Sequence, residues 1–355
     1  MRYTWIVLAA ACGSSPTNAI DAASHDSVSL DALSPDAAPA KLKYLGTNIS
    51  GAEFGTAYPG TFGTDYIYPD PTYQQGYLSA DYFVGKGMTA FRLPFMWERL
   101  QRSLNAAFDA TELARLDTTV GHLTAKGAYV VLDPHNSARY NNVLVGTTQV
   151  PNAAFADFWA RLATHFASND HVVFGLTNEP HGMPTEQWRD AANAAIAAIR
   201  TAGAHNVIFV PGNAYTGAWS WNNNYYGTPN ATVMLDIVDP ENNVVFEVHQ
   251  YLDSDYSGSH TQCQSATIGA SSLETFTAWL RDHGKRGVLG ELGASTDPTC
   301  LTAIDNTLAY IDANKDVWTG WMWWSAGPWW GNYFMTLEPN NGADVAQMTV
   351  LLQHL

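Results

Sequence analysis

From Lys43 onward the chain alternates short, nearly unbroken apolar runs with longer stretches whose apolar residues recur every three or four positions. The short runs are Tyr44–Ile49, Thr89–Pro94, Tyr129–Asp133, Val172–Asn178, Val207–Val210, Val244–Gln250, Gly287–Glu291 and Trp318–Trp324. A strand buried on both faces has no polar side to show, so such runs read as strands of a parallel sheet. Helical stretches lie between them: Ala110–Lys126, Ala153–Ala167, Thr185–Thr201 and Ser272–His283. Pro184 and Gly203 bracket the third of these, because Pro suits the first turn of a helix and Gly the residue past its end. Eight strands alternating with helices predict an α/β fold, a (β/α)8 TIM barrel, as one domain over residues 41–355. A doubly wound open sheet is the competitor; it is disfavoured because no Gly-rich phosphate turn follows the first strand.

The first 40 residues read differently. Arg2 precedes an apolar run, Trp5 to Ala11, that ends at Cys12, the pattern of an export signal over residues 1–12. Its last five residues, Leu-Ala-Ala-Ala-Cys, resemble a bacterial lipoprotein signal and make Cys12 a candidate for acylation; an ordinary signal peptide is the alternative. Residues 13–40 are dominated by Ala, Ser, Asp and Pro, with Asp21, Asp26, Asp31 and Asp36 at five-residue intervals. Such a segment cannot bury enough apolar surface to offset its ordering entropy, so a disordered linker is expected.

The net charge is -16, from 17 Lys plus Arg against 33 Asp plus Glu. Residues 1–40 hold one Arg and four Asp, so most of the acidity belongs to the barrel. An acidic domain repels phosphate backbones and anionic lipid, which excludes nucleic acid as a partner and leaves acylated Cys12 as the route to a membrane. No apolar run reaches the length of a spanning helix, and nothing points to an obligate oligomer, so a monomer is expected. Of 13 Trp, six fall between Trp318 and Trp330, and a polymer with apolar faces would suit them.

Barrel chemistry sits at the C-terminal ends of the strands. There the sequence offers Arg92, His135 and Asn136, Asn178 and Glu179, His249 and Tyr251, Glu291, and Trp324. A buried strand has no need of a terminal carboxylate, whose desolvation is unfavourable unless it is paired. One such Glu alone reads best as a partner for Arg92 or a His. Two, Glu179 and Glu291, among His, Asn, Tyr and Trp read as a site, and paired carboxylates are the equipment of glycoside hydrolysis. His135, His181 and His249 lack helical metal-ligand spacing and an accompanying thiolate, and no Gly-x-Ser-x-Gly elbow occurs. Neither a metal nor another cofactor is expected.

Phe-Arg92-Leu-Pro-Phe, Asp-Pro-His135-Asn, Asn178-Glu-Pro-His, His249-Gln-Tyr and Gly-Glu291-Leu-Gly, in that order, resemble glycoside hydrolase family 5. The stretches His249–Asp255 and Trp323–Gly331 resemble its fungal-type endo-β-1,4-glucanase branch, and the likeness covers nearly all of residues 43–340. It implies an exported retaining cellulase acting on β-glucan, with Glu179 as acid/base and Glu291 as nucleophile. Glu179 must carry a proton, so its pKa should be raised, whereas Tyr251 and Arg92 should keep Glu291 ionised. Asn178 would bond a sugar 2-hydroxyl, and His135 and His249 would bind sugar or orient the carboxylates. The resemblance places Trp324 on the floor of the cleavage subsite.

Trp219, Trp329 and Trp330 would extend that sugar track, with Trp221, Tyr58, Tyr66, Tyr68 and Tyr140 as further candidates. Trp321, in a strand, and Trp159, Trp188 and Trp279, on helices, read as core. Cys263 and Cys300, both expected in loops, could pair in an oxidising compartment or stay as buried thiols; the resemblance favours the disulfide. Mannan, xyloglucan and mixed-linkage glucan are alternative substrates. A non-catalytic carbohydrate-binding surface protein is the reading from another class.

Overall fold

The computed structural model describes residues 41–69 and 79–355. The expected signal segment, Cys12 and the linker lie outside the described residues. Eight parallel strands close a barrel: β1 (Tyr44–Ile49), β2 (Ala90–Phe95), β3 (Tyr129–Pro134), β4 (Val172–Gly175), β5 (Ile208–Pro211), β6 (Val244–Tyr251), β7 (Gly287–Gly293) and β8 (Trp318–Ala326). Each strand pairs with its sequence neighbours and β8 returns to β1, the (β/α)8 arrangement. The helices following β1 to β8 in turn are α1 (Ser79–Gly85), α2 (Ala110–Thr124), α3 (Asn152–Phe166), α4 (Thr185–Thr201), α5 (Asn230–Val233), α6 (Ile268–Asp282), α7 (Pro298–Ala313) and α8 (Ala346–Leu351).

The barrel interior is one packed layer with a side chain from every strand: Tyr44, Ala90, Val131, Val173, Phe209, Val245, Val288 and Met322. Tyr44 and Phe209 meet edge to face at 5.1 Å across it, so the barrel is a plugged core rather than a pore. A second, larger core lies between strands and helices, and the helical tryptophans belong to it. The indoles of Trp159, Trp188 and Trp279 donate to the carbonyls of Leu176, Pro211 and Ala231, so their one polar atom is satisfied as they bury. Trp321 is fully buried, as its strand position predicts.

Two boundaries differ instructively from the sequence reading. The run through Asn178 was expected to be strand, yet β4 ends at Gly175. Beyond it the backbone divides its bonds, Leu176 N to Phe209 O at 3.0 Å and Asn178 N to Pro134 O at 3.1 Å, and turns at Glu179 with a φ of +37°. Cys300 sits in the first turn of α7 rather than in a loop, where it bonds to Cys263 from the loop after β6. This disulfide spans 37 residues and stabilises the fold by about 4 kcal/mol in the chain-entropy picture.

Candidate active site

Strand side chains alternate faces, so two residues beyond the interior layer β2, β3 and β6 present Arg92, Asp133 and Glu247 to the same space. Arg92 is wholly buried there. Its Nη1 donates to Asn48 Oδ1 at 2.9 Å and to Glu291 Oε1 at 2.8 Å, and its Nη2 to Asn178 Oδ1 at 2.8 Å. Ion pairs to Asp133 at 3.1 Å and Glu247 at 3.0 Å complete the set. A planar guanidinium can serve so many acceptors at once, which an ammonium could not do in that geometry.

The two glutamates meet above this cation. Glu291 keeps 4% of its side chain exposed, whereas Glu179 keeps 23% and so opens to the cleft. Tyr251 donates its hydroxyl to Glu291 Oε2 at 2.6 Å. His249 Nδ1 lies 2.8 Å from Glu179 Oε1 and 3.4 Å from Glu291 Oε2. One oxygen of each carboxylate and the imidazole nitrogen all fall within 4.8 Å of one another. His135 lies 2.8 Å from Asp133 and 3.2 Å from the Asn178 amide.

The proton distribution differs from the sequence expectation. Burial favours a neutral Glu179, but the hydrogen bond and charge of His249 outweigh it and the pKa of Glu179 is lowered. Burial raises Glu291, with the Glu179 charge adding to it, and the charges of His249 and Arg92 offset this only in part. Burial disfavours imidazolium, yet the charge of Glu291 and the close carboxylates of Glu179 and Glu247 push His249 up to about 10. His249, one hydrogen bond away from Glu179, is therefore biased toward its protonated form. The phenol of Tyr251, raised by burial and by the neighbouring Glu291 charge, stays a donor.

Aromatic groups stand on two sides of the mouth. Trp324, beyond which the peptide bond to Ser325 is cis, stacks its ring on His135 at 5.4 Å. Trp330 meets Trp324 edge-on, and Tyr333 covers one of its faces at 4.4 Å, so it backs Trp324 more than it offers a free platform. Trp329 is half-buried beside it. Across the barrel Trp219 stacks on Tyr256 at 5.1 Å. A polar cavity of about 320 Å3, lined by His135, Arg139, His181 and Tyr58 among others, lies at the same mouth.

Other expected sugar contacts lie elsewhere. Trp221 is fully buried against Phe276 and Trp279. Tyr66 and Tyr68 are buried as well, Tyr66 bonding Glu112, and Tyr140 donates to the Gln101 carbonyl. Loop position suggested exposure for these rings, but each loop folds back over a helix and uses them as packing. Both side-chain groups of Asn136 are committed to the scaffold, accepting from Trp97 N and donating to Glu98.

Sequence reasoning passed over Asn48 and Glu247. Glu247, His249 and Tyr251 are spaced two apart in one strand, so a charge inside the apolar run of β6 on the face of His249 was the available signal.

A closed barrel with two carboxylates, an imidazole and aromatic walls at the C-terminal mouth defines a glycoside-hydrolysing site. The chain belongs to glycosyl hydrolase family 5: residues 49–327 match the family's cellulase model. Endo-beta-1,4-glucanase B of Aspergillus niger is 42% identical over 315 residues, 88% of this chain and 89% of that protein. Endoglucanase 3 of Humicola insolens is 44% identical over 319 residues, 89% of this chain and 78% of that one. Among solved structures, an endo-beta-1,4-glucanase of Xanthomonas axonopodis pv. citri superposes with a TM-score of 0.84 at 44% identity, covering 88% of this chain and 98% of its own. XacCel5A, solved with cellopentaose, gives a TM-score of 0.85 at 44% identity over 88% and 99% of the two chains.

Tyr251→Phe should slow hydrolysis roughly 10- to 150-fold, the equivalent of the 1.5–3 kcal/mol carried by a hydrogen bond to a charged group. Steady-state kinetics with a folded variant check this, and an unchanged kcat would remove Tyr251 from the machinery.

Proposed function

We propose that this enzyme is a retaining endo-β-1,4-glucanase that cleaves internal bonds of cellulose and related β-glucans. The observation that carries the reading is the approach of the Glu179 and Glu291 oxygens, within 4.8 Å of each other. That spacing suits the roughly 5–5.5 Å carboxyl separation of double displacement and leaves no seat for the water that inversion requires at about 6.5–9.5 Å.

Glu291, held by Arg92 and Tyr251, attacks the anomeric carbon while Glu179 gives its proton to the departing glycosidic oxygen. Glu179 then takes a proton from the water that releases the sugar from Glu291. Asn178, oriented by Arg92, is suited to bond the 2-hydroxyl as positive charge develops on the ring. Trp324 supplies an apolar face under the reacting sugar, and Trp219 and Trp329 extend the track. The relatives' names support a β-1,4-glucan as the substrate, and the cellopentaose bound to XacCel5A supports a cleft that takes several glucose units.

The same reading makes the chain an exported monomer. Its opening apolar run, the disulfide and a polymeric substrate too large to enter a cell support export. Acylation at Cys12 would tether it to a membrane. The mass of the mature N-terminus decides this: a diacylglycerol-bearing Cys12 identifies a lipoprotein, and cleavage elsewhere without lipid identifies an ordinary signal peptide.

Glu179→Gln should lose about 10²–10⁴-fold in turnover of soluble cellulose derivatives, the range of general acid catalysis. Glu291→Gln should lose at least as much, and the first products of the native enzyme should be β-anomers by NMR. Near-native turnover in either variant, or α-anomers, would contradict the assignment.

A further inference from the structure

We infer that Glu247, which takes no direct part in the displacement chemistry, is a positioning residue: its buried carboxylate holds the catalytic proton on the Glu179–His249 pair. The inference deepens the reading above and rests on the roles given there to Glu179 and Glu291.

Glu247 lies in β6 with 1% of its side chain exposed. Its Oε1 is 3.0 Å from Arg92 Nε and 3.5 Å from His249 Nε2. Among the described residues neither carboxylate oxygen has a hydrogen-bond partner of good geometry, and nor do the two nitrogens that face it. A carboxylate so buried and so poorly bonded is unfavourable for the fold, and what it retains is charge directed at two cations.

The backbone is arranged to admit it. The ladder pairs Val248 with Leu289 and then His249 with Glu291, passing over Gly290. A Cβ on Gly290 would lie 2.0 Å from Glu247 Oε1. One bulge thus turns Glu291 into the site and leaves the space in which Glu247 sits. From the other side Thr216 donates its hydroxyl to the Glu247 carbonyl at 2.6 Å, fixing the strand at this residue.

The geometry around His249 gives this placement its consequence. Nδ1 faces Glu179 at 2.8 Å and Nε2 faces Glu247 at 3.5 Å. A neutral imidazole has a single N–H, so it would turn a lone pair toward one of these carboxylates; the imidazolium turns an N–H toward each. The other charged or titratable groups nearby are Arg92 on β2, Asp133 and His135 on β3, Tyr251 on β6 and Glu291 on β7. Asp133 lies 2.8 Å from His135, and Glu291 takes its closest bonds from Arg92 and Tyr251, which leaves Glu247 as the counter-charge on the Nε2 side of His249.

The proton shared by His249 Nδ1 and Glu179 Oε1 departs with the glycosidic oxygen in the first displacement. It is restored from water in the second. Glu247 makes its loss to bulk solvent harder, so it extends activity toward alkaline pH.

The test is the pH profile of kcat/KM on a soluble cellulose derivative for native enzyme, Glu247→Gln and Glu247→Asp, together with nitrogen NMR of His249 in the native enzyme. Glu247→Gln should stay active in acid while its basic limb moves down by about one pH unit or more, the effect of deleting one opposite charge at this range. Glu247→Asp, which keeps the charge, should hold the native limb more closely. Both His249 nitrogens should be protonated at neutral pH in the native enzyme. An unmoved basic limb in Glu247→Gln overturns the inference, and so does a neutral His249 in the native enzyme, which decides the matter even if the Gln variant does not fold. Failure of the roles of Glu179 and Glu291 would appear separately, as activity retained in their own Gln variants.

Discussion

The buried guanidinium of Arg92 is the contact on which the catalytic mouth depends. It lies just above the apolar plug of the barrel and holds Asn48, Asn178 and Glu291 by hydrogen bonds and Asp133 and Glu247 by charge. An isolated carboxylate at that depth would protonate rather than stay charged, so the site's negative groups exist as a set around this cation. Such a cluster contributes little net stability, because desolvation offsets most of the attraction, but removing one partner from a buried pair typically costs about 3–5 kcal/mol. The arrangement secures geometry: Glu291 has one oxygen on Arg92 and the other on Tyr251, and little freedom remains.

One cation is too few for the carboxylates it faces, and two imidazoles lie against the remaining oxygens. His135 answers Asp133, and His249 answers the three glutamates around it. This explains why His249 is shifted upward and Glu179 downward. Glu179 opens to the cleft and Glu291 does not, so a group entering the cleft meets Glu179 first. The surrounding surface can be strongly acidic without penalty, since a neutral glucan is indifferent to net charge and is recognised through ring faces and hydroxyls.

Much of this was legible in the sequence, and the parts that were not share a cause. The strands announced themselves because a parallel barrel buries both faces, and β1 was read to the residue. The convergence of Glu179 and Glu291 was legible because strand ends are where a barrel places chemistry. What escaped was set by packing between distant segments. Glu247 was passed over, because the space that holds it beside Gly290 depends on the pairing of two strands. Tyr66 and Tyr140 looked like subsite rings until their loops folded inward. The pKa order of Glu179 and Glu291 turned on a histidine lying between them, and no spacing along the chain encodes that distance.

The role proposed for Glu291 requires a covalent bond between its carboxylate and the sugar. A 2-fluoro-cellobioside with a good leaving group slows release of the intermediate more than its formation, so the adduct accumulates and can be located by mass spectrometry of the digested protein. One fluoro-cellobiosyl group per chain, carried by Glu291, is the expected result. An adduct on Glu179, or turnover of the probe with no adduct and with inverted product, would contradict it.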